Sequence, residues 1–261
     1  MTTGRPLAGA AARLAERAAE VAICLDFDGT IAPIVEDPAA ARPLPGVVDL
    51  LGPLADRYAA VALVSGRPAT YLASHAAAPG VRYLGMYGLE EIVEGRVQVD
   101  RRLEAARPAV AAAAHDLAGD PAVTASGAYL EDKRYAVAVH LRRVADPGRW
   151  AGPAGQAATR VAAAHGLEVV PGRMVWELRP QVRGDKGDAV RRVATESGAR
   201  HLLVAGDDLG DLPAFAVAEE LGAGLRVAVR SDEAPAELLD AADLVVDGPE
   251  GVRGLLEHLL S

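Results

Sequence analysis

Short apolar runs, each followed at once by polar or glycine-rich residues, recur in the first and last thirds of the chain. They lie at residues 21–25, 61–64, 83–88, 201–205, 226–229 and 243–246. Their hydrophobicity is continuous rather than alternating, which is typical of strands that are buried on both faces of a parallel sheet. Segments with a helical pattern, such as 46–59 and 187–199, lie between several of these runs. The alternation of strands and helices predicts a doubly wound α/β domain with a parallel sheet.

The segment 103–182 has a different pattern. It contains two alanine-rich helical stretches, 103–118 and 152–166, and two runs with alternating apolar residues, 135–144 and 173–180. Alternation with a period of two is typical of a sheet with one exposed face. We therefore expect a small α+β module that is inserted into the larger domain. The predicted division is a core of residues 1–102 and 183–261 and an inserted module of residues 103–182.

Composition and charge narrow the class of protein. A chain of 261 residues with 51% hydrophobic and 24% charged residues has an ordinary globular composition. The net charge of −9 argues against nonspecific binding to nucleic acid or to an anionic membrane. Cys24 is the only cysteine, which excludes an internal disulfide and a thiolate metal cluster. No apolar run reaches the ~18 residues of a membrane span, and residues 1–22 predict an amphipathic helix rather than a signal peptide, so we expect a cytoplasmic protein.

Polar clusters follow three of the predicted core strands. They are DFDGT at 26–30, SGR at 65–67 and GDD at 206–208, the last with Asp211 three residues on. Lys186, in the sequence GDKGDAV, stands just ahead of the predicted helix 187–199. Ligands of an open α/β sheet bind beyond the carboxyl ends of its strands, so we expect these elements to converge on one cleft.

The residue types at these strand ends fit phosphoryl transfer. Asp26, Asp28 and Asp207 would form an oxygen-only site for a hard cation, and Mg²⁺ suits a few protein ligands together with waters and a phosphate. An ionised aspartate can act as a covalent nucleophile, and a second carboxyl group can protonate the leaving oxygen and then activate water. The Ser65 hydroxyl and neighbouring backbone amides can hold phosphoryl oxygens, and the Lys186 ammonium can offset negative charge.

In chain order, DFDGT, SGR, the lysine of DKG and GDD with Asp211 resemble the first, second, third and fourth motifs of the haloacid dehalogenase superfamily of phosphotransferases. The resemblance implies that Asp26 is the nucleophile, that Asp28 is the acid/base, and that Ser65 and Lys186 stabilise the phosphoryl group. The metal ligands that it implies for Mg²⁺ are Asp26, the backbone carbonyl of Asp28, and Asp207, with Asp208 and Asp211 supporting them from nearby.

The inserted module lies between the second and third motifs, where superfamily members with an α+β cap carry it. The sequences LEDKRYAVAVHLRRV (130–144), GRMVWELRP (172–180) followed by DKG, and GMYGLE (85–90) resemble the trehalose-6-phosphate phosphatase family. The likeness runs from about residue 21 to the end of the sequence. In this family a glutamate and a lysine like Glu131 and Lys133, and a strand glutamate like Glu177, help to hold the sugar.

The predicted substrate contacts of the core are Gly66 and Arg67. One departure from the family pattern is Tyr87, which stands where the family usually has a histidine. We therefore expect a sugar or phosphate contact at this position to differ from that of the family.

The resemblance implies a Mg²⁺-dependent phosphatase that releases trehalose and inorganic phosphate from a phosphorylated disaccharide, trehalose 6-phosphate, through an aspartyl phosphate. It also suggests a functional link to a trehalose-6-phosphate synthase. Two alternatives of the same layout are a phosphatase for another sugar phosphate and a phosphomannomutase-like enzyme. An alternative of another class is a non-catalytic partner of a sugar-phosphate synthase, against which the intact Asp26, Asp28, Lys186 and Asp207 argue.

Overall fold

The computed structural model describes residues 4–172, 174–182, 184–222 and 224–261, with side chains from residue 8 onward. The chain divides into two compact units. The larger unit comprises the chain up to Gln98 together with Gly184–Ser261, and the smaller unit is the segment between them. The core boundary that the sequence predicts at residue 183 lies outside the described residues.

Helices and strands alternate through the larger unit on both sides of the insertion. Its first segment contains α1 (Gly4–Ala15), β1 (Val21–Leu25), α2 (Val47–Arg57), β2 (Ala60–Val64), α3 (Ala69–His75), β3 (Val81–Gly85), β4 (Glu90–Val93) and β5 (Arg96–Val99). The insertion contains α4 (Arg101–Gly119), α5 (Pro121–Ser126), β6 (Tyr129–Asp132), β7 (Val137–His140), α6 (Pro147–His165), β8 (Leu167–Gly172) and β9 (Val175–Pro180). The last segment contains α7 (Lys186–Ser197), β10 (His201–Gly206), α8 (Leu212–Glu220), β11 (Leu225–Arg230), α9 (Ala236–Ala241), β12 (Leu244–Asp247) and α10 (Gly248–Leu260). None of the helices in the described ranges is long and apolar enough to cross a membrane.

The sheet of the larger unit is built around β1, all of whose residues are buried. Its strand order is β12-β11-β10-β1-β2-β3-β4-β5. Pairing is parallel from β12 to β3 and antiparallel between β3 and β4. Successive residues of β1 enter two apolar layers, Ile23 the layer with α2 and α10, and Cys24 the layer with α7 and α8. Helices on both faces of a mainly parallel sheet confirm the predicted doubly wound α/β fold.

The chain after β3 differs from the sequence prediction. The predicted strand 83–88 is wrong in its second half, because β3 ends at Gly85 and a 3₁₀ turn spans Met86–Gly88. The φ angles of Met86, Tyr87 and Gly88 are 50°, 58° and 88°, in the left-handed region that an extended strand does not use. A hairpin of β4 and β5, which the sequence pattern did not indicate, then completes the edge of the sheet.

The smaller unit is an antiparallel sheet packed against helices. Its strand order is β6-β7-β9-β8, and its apolar core joins sheet residues such as Val139 and Leu178 to α4 and α6. Side chains of a strand alternate between the two faces, so Ala138 and His140 lie on the face opposite Val139. One face of this sheet therefore supports the core, and the other carries polar residues.

We predict that the central strand sets the stability of the larger unit. Ile23→Ala should lower the free energy of unfolding by about 2–5 kcal/mol, because it leaves a cavity between β1 and the helices that cover it. Ile34→Ala is the matched control, since Ile34 is 56% exposed, and it should change stability by less than about 0.5 kcal/mol. Urea unfolding followed by far-UV circular dichroism measures both. Equal effects of the two substitutions would contradict the assignment of Ile23 to the core.

Candidate active site

The candidate catalytic residues lie at the carboxyl ends of three neighbouring strands. Because β10, β1 and β2 are adjacent and parallel, the residues that follow them meet at one edge of the sheet. The backbone N–H of Asp26 donates to the Ala205 carbonyl at 3.0 Å and continues the ladder beyond β1. The N–H of Ser65 donates to the Leu84 carbonyl of β3 at 3.1 Å. Three of the predicted polar elements are thus brought together by strand register.

Lys186 reaches this edge from the first position of α7. Its Nζ lies 3.0 Å from Oδ1 of Asp26 and 2.7 Å from Oδ1 of Asp211. The helix begins here because the Asp185 side chain accepts a hydrogen bond from the Asp188 N–H at 2.9 Å and caps the helix. The Lys186 side chain is only 5% exposed, so its charge depends on the two carboxylates for compensation.

Asp208 and Asp211 occupy different environments, although the sequence motifs predict that both support the metal ligands from nearby. Oδ2 of Asp211 accepts hydrogen bonds from the N–H groups of Asp207 and Asp208 at 3.1 and 3.2 Å. Asp208 is exposed, and its carboxylate caps the following turn by accepting from the Gly210 N–H at 2.7 Å. Asp211 therefore belongs to the buried cluster, and Asp208 shapes the turn beside it.

Asp26, Asp207 and Asp211 form a compact group of carboxylates. One oxygen of each lies within 4.8 Å of the others. The turn after β1 packs closely on this group, because a Cβ atom at Gly29 would lie only 1.9 Å from Oδ2 of Asp207. Gly29 also has a φ of +72°, so the position requires glycine for its space and for its conformation.

The electrostatics of this group leave an excess of negative charge. Burial raises the pKa of Asp26 well above its ordinary value, although the Lys186 ammonium opposes the shift. Burial, together with the nearby Asp211 and Asp208 carboxylates, raises the pKa of Asp207 to about 7. Burial likewise raises the pKa of Asp211, again opposed by Lys186. One ammonium faces three buried carboxylates, which favours binding of a further cation.

The second motif holds the side chain of Asp28. The Arg67 guanidinium donates to both oxygens of Asp28, from Nε to Oδ2 and from Nη2 to Oδ1, each at 2.7 Å. It also lies over the Tyr71 ring at 4.6 Å. The buried Ser65 hydroxyl accepts from the Arg67 N–H at 3.3 Å. The sequence motifs predict Arg67 as a substrate contact, whereas the spacing of Arg67 and Asp28 along the chain does not indicate that they pair.

Gly66 lies against Tyr87 in the same region. A Cβ atom at Gly66 would lie 2.7 Å from the Tyr87 hydroxyl. Tyr87 is thus next to the second motif, and it is 36% exposed.

The predicted sugar-binding residues form a polar cluster on the sheet of the smaller unit. Glu131 and Glu177 pair with Ala138 from the two neighbouring strands. Lys133 Nζ lies 2.5 Å from Glu177 Oε2 and 3.9 Å from Glu131 Oε2. Nε2 of His140 lies 2.9 Å from the same Glu131 oxygen. The sequence motifs do not identify His140 as a site residue, although the alternation along β7 puts it on the same face as Ala138.

Most of the chain matches the sequence model of a known family. The sequence model described as Trehalose-phosphatase matches residues 24–243. The chain belongs to the trehalose-phosphatase family. This confirms the resemblance that the sequence motifs indicated.

Two relatives named trehalose-phosphate phosphatase cover nearly the whole chain. The protein from Mycobacterium leprae is 34% identical over 256 residues, which are 93% of this chain and 58% of that protein. The protein from Mycobacterium avium is 36% identical over 263 residues, which are 97% of this chain and 65% of that protein. The chain thus spans less than two thirds of the length of either relative.

Solved structures share the fold of this trehalose-phosphatase family member. A trehalose-6-phosphate phosphatase related protein superposes with a TM-score of 0.73 at 23% identity, covering 92% of this chain and 96% of that one. A haloacid dehalogenase-like hydrolase from Bacteroides thetaiotaomicron superposes with a TM-score of 0.62 at 19% identity, covering 90% and 98%. Both likenesses confirm the haloacid dehalogenase-like fold with a cap domain.

The donor set of this trehalose-phosphatase family member fits a hard divalent cation. Carboxylate oxygens are the ligands that Mg²⁺ prefers, and three lie within 4.8 Å of one another. Both oxygens of Asp211 accept hydrogen bonds, from Lys186 and from two backbone N–H groups. Asp26 and Asp207 are therefore better suited to bind a cation directly than Asp211.

We predict that protein stripped of metal loses stability as the pH rises from 5 to 7.5. The unfolded chain releases the Asp207 proton near pH 4, whereas burial raises the pKa of the folded group to about 7. Between these values the folded state binds more protons, so raising the pH favours unfolding. The fall in Tm should be smaller for Asp207→Asn, and Mg²⁺ at pH 7.5 should raise the Tm of the wild type more than that of the variant.

The matched control for this experiment is Asp37→Asn. Asp37 is exposed and caps a surface turn through the Ala39 N–H, a bond that asparagine can also accept. Its pH profile should follow the wild type. If the Tm of Asp207→Asn also changed with pH and with Mg²⁺ as that of the wild type does, the assignment of Asp207 to a cation site with excess negative charge would be wrong.

Proposed function

We propose that the protein is a Mg²⁺-dependent phosphatase that hydrolyses trehalose 6-phosphate to trehalose and inorganic phosphate. The observation that supports this most directly is the buried contact of Lys186 with Asp26, 3.0 Å long, at the ends of parallel strands in a trehalose-phosphatase chain. A buried carboxylate held beside an ammonium and near two further carboxylates suits attack on a phosphoryl group.

In the first step, a carboxylate oxygen of Asp26 attacks the phosphorus atom of the substrate. A bond forms between Asp26 and phosphorus, and the bond from phosphorus to the sugar oxygen breaks. Asp28 donates a proton to the departing oxygen, so that trehalose leaves as a neutral alcohol. The Ser65 hydroxyl and the Lys186 ammonium stabilise the charge on the phosphoryl oxygens.

In the second step, water attacks the phosphorus atom of the aspartyl phosphate. Asp28 takes a proton from this water, the bond between Asp26 and phosphorus breaks, and inorganic phosphate is released. The Arg67 guanidinium holds Asp28 through two hydrogen bonds of 2.7 Å. A phosphoryl group competes with the Asp28 carboxylate for the Arg67 guanidinium. We therefore expect Arg67 to bind the phosphoryl group of the substrate, which leaves Asp28 free to exchange protons.

The residues that would hold Mg²⁺ are Asp26, the backbone carbonyl of Asp28, and Asp207, with Asp208 and Asp211 nearby. When bound, the cation would neutralise charge on the phosphoryl oxygens and on the carboxylates. Lys186 and the backbone N–H groups that bind Asp211 keep these carboxylates oriented.

The inserted module, proposed as residues 103–182 within a core of 1–102 and 183–261, would act as the cap that recognises the sugar. Glu131, Lys133 and Glu177 offer acceptors and donors that match the many hydroxyl groups of a disaccharide. A site with such groups disfavours substrates that leave them unpaired. A trehalose-6-phosphate synthase is the class of enzyme that would supply the substrate.

Phosphate release tests the proposal directly. The full chain with Mg²⁺ should release phosphate from trehalose 6-phosphate in clear preference to glucose 6-phosphate, sucrose 6-phosphate and mannose 6-phosphate. Asp26→Asn should lower kcat by at least about 10³-fold, because an amide cannot form the aspartyl phosphate. Asp37→Asn should leave kcat unchanged. Activity that was better on another sugar would contradict the trehalose assignment, and an active Asp26→Asn protein would remove Asp26 from its proposed role.

Substrate discrimination tests the cap residues. Glu131→Ala should lower kcat/KM for trehalose 6-phosphate by about 10- to 100-fold, the effect of a lost hydrogen bond to a charged group. It should lower kcat/KM for a small aryl phosphate by less than about 3-fold, because that substrate has no sugar hydroxyls. Asp116→Ala, on α4, replaces a half-exposed carboxylate of the same unit and should change neither value. Equal losses on both substrates would make Glu131 a structural residue.

A further inference from the structure

The segment after β3 lies directly against the second motif. The Met86 N–H donates to the Arg67 carbonyl and the Tyr87 N–H to the Ser65 carbonyl, each at 2.9 Å. Gly85 approaches even more closely, since a Cβ atom there would lie 2.1 Å from the Ala69 backbone nitrogen. The loop from Ser65 to Ala69 is thus in backbone contact with the turn that follows β3.

This turn has an unfavourable backbone that its contacts must maintain. Met86 and Tyr87 are adjacent non-glycine residues with φ angles of 50° and 58°. Left-handed conformations are costly for such residues and persist where the surrounding structure holds them. The two hydrogen bonds to the second motif hold this turn, and the turn in return fixes the carbonyl groups of Ser65 and Arg67.

Glu90 completes the contact with a buried carboxylate. It is the first residue of β4, it is only 4% exposed, and its Oε2 accepts from the Ala69 N–H at 3.0 Å. Ala69 begins α3, and the N–H groups of the first helical turn need acceptors from outside the helix. The residue before it, Pro68, has no side-chain acceptor to cap the helix. Glu90 supplies this acceptor from a distant position in the sequence.

We infer that Glu90 is a positioning residue for the loop of residues 65–67, which would bind phosphate. It acts through Ala69 on Ser65 and Arg67. The inference rests on the proposed phosphatase function of this loop. Only three residues separate Ser65 from Ala69, so a shift of the start of α3 shifts the loop. The same helix carries Tyr71, whose ring lies 4.6 Å from the Arg67 guanidinium that holds Asp28. Glu90 therefore positions both the backbone and the side chain of Arg67.

The experiment compares substitutions of Glu90 in the full chain with Mg²⁺. Glu90→Gln keeps an oxygen acceptor at the same distance, whereas Glu90→Leu has a similar size and no acceptor. Calorimetry measures the Kd of orthovanadate, an analogue of the phosphoryl group in the transition state of its transfer. Glu90→Leu should raise this Kd by about 10-fold or more, and Glu90→Gln should stay within about 3-fold of the wild type.

Glu91 is the matched control for effects on stability alone. It is the next residue, partly buried, and it pairs with Arg82 and Arg192 at 2.7 and 3.2 Å. Glu91→Leu should lower Tm and leave the Kd of orthovanadate unchanged. A purely structural role of Glu90 would give the same result for Glu90→Leu, and this outcome would overturn the inference.

Glu90→Asp keeps the test decisive if Glu90→Leu does not fold. Its shorter side chain keeps the charge but withdraws the acceptor from Ala69, so its Kd should rise as expected for Glu90→Leu. Wild-type binding by Glu90→Asp together with weak binding by Glu90→Gln would show that charge matters rather than position, and would overturn the inference. Binding does not require turnover, so a wild-type protein that binds orthovanadate but releases no phosphate would contradict the proposed function, while the variants still test Glu90.

Discussion

The site depends on the burial of three carboxylates around one ammonium. Asp26, Asp207 and Asp211 would repel one another in any compact fold, and Lys186 compensates only part of their charge. The fold must therefore bring Lys186 to the ends of β1 and β10, and the Asp185 cap that starts α7 does so. In the proposed mechanism, the cation that relieves this repulsion would also prepare Asp26 for attack on phosphorus, which would link the stability of the fold to its chemistry.

A second layer of contacts orients the groups that complete this cluster. Arg67 holds Asp28 through paired hydrogen bonds, and the turn after β3 holds the backbone of Arg67. The left-handed residues of that turn are unfavourable in isolation, so they are maintained by the motif that they position. The candidate catalytic groups thus lie at strand ends, whereas the turn and the buried Glu90 that contact the second motif lie outside the four motifs.

The sequence was sufficient to predict the elements that a local pattern of apolar and polar residues indicates. Continuous apolar runs indicated β1, β2 and β10, and the polar residues directly after them indicated the candidate catalytic edge of the sheet. The sequence pattern did not indicate the hairpin of β4 and β5, because its strands are short and only half of their residues are apolar, as in EEIV and RVQV. The pairing of Arg67 with Asp28 and the contact of Glu90 with Ala69 depend on tertiary placement over tens of residues. No periodicity along the chain encodes such contacts, so they could be found only in the structure.

The smaller unit is inserted between two segments of the larger unit that belong to the candidate active site and its surroundings. Its first helix follows directly on β5, the end of the hairpin whose first strand carries Glu90. Its last strand ends at Pro180, only a few residues before Lys186. The insertion is therefore bounded by the segment that positions the second motif and by the lysine of the third. The segments of the larger unit on either side of the insertion each carry a buried charged residue, Glu90 before it and Lys186 after it. Under the proposed function, the residues of the smaller unit can therefore vary without altering the strand ends that carry Asp26 and Asp207, because β1 and β10 both lie outside the insertion.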